Sequence, residues 1–289
     1  MKIVNIIGGL GNQMFQFAFF LALKKRHPKE DIKIYTGTFK GYSKHNAYEL
    51  DKIFGLNAPQ ASFLETTKMA YPYLNYKLWQ IGNHLLPQRK SMFKEHIFGR
   101  FYEEALNKQD RCYYDGYWQN EKYFSDMRLD ILMAYSPIDI DEHNIIIGRK
   151  LFSTNSVSIH VRHGDYMQKS IYQGICGIDY YQQAISYILR ITNAKLFCVF
   201  SNDIPWCKEH IIPLLKGTDY IMVDWNTGEK NYLDMYLMSN CRHNIIAHSS
   251  FSWWGAWLNQ HTDKVIIGPR KWNNIKSSEF QLPHTWIKI

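Results

Sequence analysis

From Val157 onward the chain repeats one unit, a short apolar run followed by a longer helical pattern. "VSIHV" leads to a helix over 179 to 191, "KLFCVF" to "PWCKEHIIPLL", "YIMV" to "NYLDMYLMSNC" and "NIIA" to "FSWWGAWLN", and "KVII" closes the series. Strands alternating with helices of this length predict a parallel sheet with crossover helices, a Rossmann-like α/β domain. Right-handed crossovers put every strand's carboxyl end on one side, whatever the strand order. His160, Arg162 and Asp165 follow the first strand, Ser201, Asn202 and Asp203 the second, Asp224 the third, and His248, Ser249 and Ser250 the fourth. Four polar strand ends in succession along one edge describe a ligand crevice.

The N-terminal half opens on a βαβ unit: strand "KIVNII", turn "GGLGNQ", helix "MFQFAFFLALKKR" and strand "DIKIYT". The glycine turn invites comparison with a dinucleotide fingerprint. However, Met14 stands where the third glycine belongs, and Asp31 opens the second strand when the ribose-binding acid should end it. Residues 41 to about 110 are rich in aromatics, basic residues and scattered prolines, with short helical patterns such as "EEALNKQ" and no internal repeat. The cluster "YYDGYWQNEKYF" at 113 reads either as a half-buried strand or as an aromatic platform for sugar or base. The polar stretch "SPIDIDEHN" before the regular half sets a boundary near 150, giving an N-terminal domain over 1–150 and a C-terminal domain over 151–289.

A formal charge of +8 points to an anionic partner, whether nucleotide, nucleic acid or membrane surface. The five cysteines include no C-x-x-C pair, so neither a disulfide framework nor a structural zinc site is expected, and a reducing cytoplasm fits best. Glycines and amides interrupt the apolar N-terminus, which is read as mature sequence; no stretch has the length of a membrane span, so membrane contact is expected to be peripheral at most.

"VSIHVRHGDY", residues 157 to 166, alternates apolar and polar side chains and breaks at Gly164. It reads either as an edge strand with a solvated face or as a strand delivering charged groups to the crevice. Arg162 offers a planar fork that matches phosphate oxygens. Ser249 and Ser250 stand immediately before a helix, where they can cap it while its N–H groups face an anion. Together they suit a diphosphate. Asp234, one turn into its helix, is either a dipole-complementing acid or an acceptor for the adjacent N–H pair of a guanine edge.

The blocks "GGLGNQMFQFAF", "GYWQNEKYF", "VSIHVRHGDY", "FSNDIPWCKEHI" and "LMSNCRHNIIAHSSFSWWGAWL" resemble, in this order and over nearly the whole chain, the bacterial-type α-1,2-fucosyltransferases of glycosyltransferase family 11. The resemblance implies a GT-B fold, two Rossmann-like domains with parallel sheets facing across a cleft. It implies an inverting transfer of L-fucose from GDP-fucose to the 2-hydroxyl of a terminal galactoside, with no cofactor and no metal. Arg162, Asn12 and Asp165 are the implied catalytic residues. Donor contacts fall on His160, Arg162, His163, Asp203, Asp234, Ser249, Ser250 and Phe251, and acceptor contacts are expected from Tyr117 and Trp118. His163 departs from the family's second arginine and His248 from its usual asparagine. A galactose-terminated glycan or lipid-linked oligosaccharide is the expected acceptor, without nucleic acid, and the expected location is cytoplasmic, either free or peripheral at the cytoplasmic membrane. Two rival classes remain: a non-enzymatic polyanion-binding module, and a metal-dependent GT-A transferase using the "DID" at 139 to 141.

Overall fold

The protein is described by a computed structural model covering residues 1–43, 46–164 and 169–289. It divides into two compact units, Met1–Ile138 with Ser277–Phe280, and Asp139–Lys276 with Gln281–Ile289. No helix among the described residues is long and apolar enough to cross a membrane.

The first unit holds a four-stranded sheet. Its strands are β1 (Lys2–Asn5), β2 (Ile32–Tyr35), β3 (Met92–Lys94) and β4 (Cys112–Asp115), in the order β2-β1-β4-β3, all parallel. The expected βαβ opening is present, but helix α1 (Leu10–Arg26) starts ahead of Met14, at which the apolar pattern begins. Asn12 and Gln13 therefore lie in its first turn. The earlier start is possible because Gly8 takes φ +96°, where a Cβ would come within 2.8 Å of the Asn12 side chain. The stretch rich in aromatics and basic residues carries short helices, α2 (Leu50–Phe54), α3 (Phe63–Thr67), α4 (Tyr76–Leu85) and α5 (Glu103–Asn107), and the unit continues through α6 (Arg128–Ala134).

The second unit begins with α7 (Glu142–Ser153), capped by Asp141, whose side chain accepts from the Asn144 amide. Strands β5 (Ser156–Val161), β6 (Leu196–Ser201), β7 (Asp219–Val223), β8 (His243–Ile245), β9 (Ile266–Gly268) and β10 (Ile287–Lys288) form one parallel sheet. Its order is β10-β9-β8-β5-β6-β7, the doubly wound arrangement that reverses direction between β5 and β8. The crossover helices are α8 (Ile178–Thr192), α9 (Ile204–His210), α10 (Tyr232–Asn240) and α11 (Ser250–Trp257). The sequence pattern located all of them. It did not reveal β10, a two-residue strand recognisable only by its pairing with β9.

β5 is a central strand, buried along its whole length, which removes the reading of a solvated edge. Val157, Ile159 and Val161 face a core with Tyr181 and Ile185 of α8 and Cys207 of α9. The opposite sheet face packs Cys198 and Phe200 against Leu151, Leu237 and Met238 of α7 and α10. The alternate residues of β5 are polar because they bond locally. Ser156 Oγ donates to the Leu151 carbonyl at 2.6 Å, and Ser158 Oγ accepts from Asn244 Nδ2 at 2.7 Å.

Asn244 is the hub of this buried polar layer. Its amide also donates to the Met238 carbonyl at 2.8 Å, and its oxygen accepts from Asn259 Nδ2 at 2.8 Å. Asn259 in turn holds the Cys241 carbonyl at 2.8 Å. One side chain thus ties β5, the end of α10 and the residues after α11 to β8. Asn244→Ala should lower unfolding free energy by about 2–4 kcal/mol, because several buried partners lose their bonds together. Urea melts of the variant check this; a loss within experimental error would show that the layer is not a stabilising unit.

Candidate active site

In a doubly wound sheet the loops diverge where the strand order reverses, and a crevice opens at the carboxyl ends of the two strands flanking that point. Here those strands are β5 and β8. The first delivers His160, Arg162 and His163, and the second His248, Ser249 and Ser250. A cavity of about 260 Å³ lies in this place, lined by Arg162, His163, Tyr172, Cys176, Trp206 and His248 among others.

His160 is buried near the end of β5, and its Nδ1 has no hydrogen-bond partner among the described residues. Burial, then the positive charge of Arg162 and the neighbouring His248, press its pKa down to about 3, so the ring is neutral. It packs against Phe251 of α11 with centroids 5.9 Å apart. His248 is likewise held down to about 4 by burial and Arg162, and its Nδ1 lies 3.1 Å from Cys176 Sγ. Burial pushes the Cys176 thiol up to about 12, so this pair is a neutral thiol and imidazole. Arg162 thereby stands as a fixed positive charge beside two neutral rings.

His163, at the place where the family pattern has an arginine, is anchored. Its Nδ1 pairs with Asp203 Oδ2 at 2.8 Å, and its ring stacks on Trp206 with centroids 4.3 Å apart and planes 16° off parallel. The hydrogen bond from His163 holds the Asp203 carboxyl below its ordinary range. The other oxygen of Asp203 caps α9 by accepting from the Trp206 amide at 3.2 Å. Both oxygens thus serve the local frame, which positions His163. Asp165 lies outside the described residues.

Ser249 is the N-cap of α11, its hydroxyl accepting from the Phe251 amide at 3.3 Å, and Ser250 opens the helix. The first turn of α11 thus begins at the carboxyl end of β8, and a helix N-terminus carries a partial positive charge. Asp234 lies in the first turn of α10, which packs on α11. Its Oδ1 accepts from Asn226 Nδ2 at 2.9 Å, and Asn226 is itself paired with Asn144. Burial raises the Asp234 carboxyl to about 7, with the Asn226 bond acting in the opposite sense.

In the first unit the order also reverses, between β1 and β4. Asn12 Oδ1 accepts from Gln119 Nε2 at 2.8 Å, joining the start of α1 to the loop after β4. Asn5 Nδ2 donates to the buried Asp115 at 3.1 Å, and burial raises that carboxyl above its ordinary value. Tyr117 is partly exposed beside Phe98. Trp118 departs from expectation. It is fully buried and stacked on Phe19 at 4.3 Å, with Tyr114 and Tyr123 against its edges, so neither face is open to a sugar. Its indole is core, and the loop around it is pinned by Glu95, whose carboxylate accepts from the Tyr117 and Trp118 amides at 2.7 and 3.2 Å.

Sequence reasoning missed Tyr172, Cys176 and Glu95. Cys176 sits in "YQGICG", a glycine-bounded turn with no periodicity, and its pairing with His248 joins positions far apart in the chain. Trp206 was within reach, since it directly follows the Asp-Ile-Pro start of a helix at a strand's carboxyl end.

Comparison with known proteins agrees with this architecture. The chain is 32% identical over 295 residues to an alpha-1,2-colitosyltransferase of Escherichia coli, spanning 99% of this chain and 98% of that one. It is 25% identical over 264 residues to a galactoside alpha-(1,2)-fucosyltransferase 2 of Bos taurus, spanning 88% and 68%. The crystal structure of apo POFUT1 superposes with a TM-score of 0.50 at 13% identity, covering 92% of this chain and 97% of that one. With two parallel sheets in two units, that likeness identifies the fold as GT-B. The model of glycosyl transferase family 11 matches residues 1–289, and the chain, a glycosyltransferase, belongs to that family.

Proposed function

We propose that the protein is an inverting α-1,2-fucosyltransferase that moves L-fucose from GDP-fucose to the 2-hydroxyl of a terminal galactoside. The observation that carries this reading is the β5/β8 reversal point, where Arg162 lines one cavity with His248, which precedes the start of α11 by two residues. Such an edge suits a sugar diphosphate. Breaking the C1–O bond of fucose leaves growing negative charge on the diphosphate, and preorganised positive groups aimed at that charge lower the barrier. We assign this work to the Arg162 fork and the first-turn N–H groups of α11, with Ser249 and Ser250 at the phosphates and Phe251 and the neutral His160 at the sugar and nucleoside. In this reading no metal is needed, and turnover should persist in excess EDTA. Asn12 is assigned to the acceptor's side of the reaction and Tyr117 to the acceptor's sugar face. The free cysteines suit a reducing cytoplasm, where we place the reaction.

A second reading has a specific support. The relative at 32% identity is named for colitose, which differs from L-fucose by the missing 3-hydroxyl. A site that bonds a substrate hydroxyl discriminates strongly against an analogue lacking it, whereas an apolar site discriminates weakly. Incubation with GDP-fucose and GDP-colitose against a panel of β-galactosides, with the product linkage assigned by NMR, tests both. An α-1,2-fucosyl product formed in preference supports the first reading, and preference for GDP-colitose replaces it with the second. Failure of both donors removes the whole assignment.

Arg162→Lys should cut turnover about 100-fold or more while leaving the thermal midpoint unchanged, because the charge stays and the bidentate fork is lost. His163→Arg should remain active, since an arginine can keep both the Asp203 ion pair and the stack on Trp206. Steady-state kinetics on the two variants check the pair; a Lys variant with near-normal turnover would move the diphosphate elsewhere.

Asp234 generates a pH prediction. A guanine edge donates two N–H groups, so it binds the ionised carboxylate, and with the free site titrating at about 7 binding must displace a proton below that pH. Affinity for GDP-fucose, whose phosphates do not titrate in this range, should therefore fall about tenfold per pH unit below 7 and level off above it. Asp234→Asn should weaken binding at pH 8 by roughly 1.5–3 kcal/mol and flatten the profile. Calorimetry across this pH range reads both effects, and an unaltered profile in the variant would return Asp234 to a purely structural role.

A further inference from the structure

Helix α4 (Tyr76–Leu85) is mounted with its apolar stripe outward. Its inner face is polar and aromatic. Trp79 Nε1 donates to the buried Asp115 carboxylate at 3.1 Å, Tyr76 packs on Tyr42 with centroids 4.6 Å apart, and Gly82 lies directly on the Tyr73 ring. Asn75 caps the helix by accepting from the Leu78 amide at 3.0 Å. These anchors leave Leu78 at 42% exposure, Ile81 at 55% and Leu85 at 75%, with Leu74 just before the cap at 61%. Positions 74, 78, 81 and 85 fall on one line along the helix. Leucines turned to water in register along a well-capped helix are unusual for a free surface and mark a contact face.

The charge around this face names its partner. From Thr66 to Lys94 the chain carries Lys68, Lys77, Arg89, Lys90 and Lys94 and no aspartate or glutamate at all. The cations flank the stripe in sequence, with Lys77 on the helix itself and exposed. An apolar line whose flanking sequence carries cations and no carboxylate matches an anionic bilayer surface, where side chains enter the acyl boundary and ammonium groups meet phosphate. The exposed pair Leu129 and Met133 on α6 lacks this match, because Asp126 and Asp130 accompany it.

We propose that α4 is a membrane-docking helix that seats the first unit on an anionic lipid surface through Leu74, Leu78, Ile81 and Leu85. This inference is independent of which donor or acceptor the enzyme uses. It gives a physical means of holding the enzyme where a lipid-linked acceptor would be presented.

The test is co-sedimentation of the full chain with vesicles of phosphatidylglycerol and phosphatidylethanolamine, and with vesicles of phosphatidylcholine alone. Binding is expected to the anionic vesicles, weakening as salt is raised, and not to phosphatidylcholine. The triple variant Leu78→Ser, Ile81→Ser, Leu85→Ser should bind the anionic vesicles about tenfold more weakly or worse while keeping its thermal midpoint and its affinity for GDP, since all three side chains are exposed. Lys77→Glu with Lys90→Glu should weaken binding as well. Absence of vesicle binding by the parent chain, or a triple variant that binds like it, overturns the proposal. So does sedimentation showing that the parent is a dimer which the triple variant dissolves, with no vesicle binding in either; the face would then join two copies. Donor turnover is measured without vesicles, so failure here and failure of the fucosyltransferase reading are separately visible.

Discussion

The reversal of strand order between β5 and β8 is the constraint on which the second unit depends. Up to that line crossovers wind one way, and beyond it the other, so the loops from the two strands part and leave their carboxyl ends open. β5 must therefore be central, buried on both faces, and yet end in polar groups. The chain meets both demands by alternation. Val157, Ile159 and Val161 build one core, while Ser156 and Ser158 turn their hydroxyls into a buried layer centred on Asn244. The same alternation carries His160 to the α11 side, against Phe251.

Electrostatics at this edge follow from burial. Two histidines close to Arg162 would oppose a dense positive charge if protonated, and desolvation keeps both neutral. The third, His163, is paired with Asp203, which keeps that position tied to the frame of α9. The Arg162 guanidinium and the N-terminus of α11 hold their polarity over the whole physiological pH range. Asp234, by contrast, is poised by burial to change charge near neutrality.

In the first unit aromatic packing decides which residues are available. Phe19, Tyr114, Trp118 and Tyr123 form a closed cluster, so the aromatic richness around 113 to 124 is mostly core, and Tyr117 is the ring left at the surface of "GYW". From α4, Trp79 reaches inward to the Asp115 carboxylate and Tyr76 packs on Tyr42, while Leu78, Ile81 and Leu85 stay exposed.

The sequence alone determined the alternation of strand and helix after Val157, the common edge on which Arg162, His248, Ser249 and Ser250 emerge, and the capping role of Ser249. These are consequences of local periodicity and of the handedness of crossovers, which need no knowledge of distant neighbours. The five ordered blocks carried the family, which the match over residues 1–289 bears out. Strand order, the neutral state of His160, the anchoring of His163 by Asp203, the burial of Trp118 and the outward face of α4 were decided only by the tertiary structure. Each depends on a contact between residues far apart in the chain, Val157 with His243, His160 with Phe251, His163 with Asp203, Phe19 with Trp118, Trp79 with Asp115. An indole or a leucine has the same local pattern in a core or on a surface, and only the partner across the fold decides which it becomes.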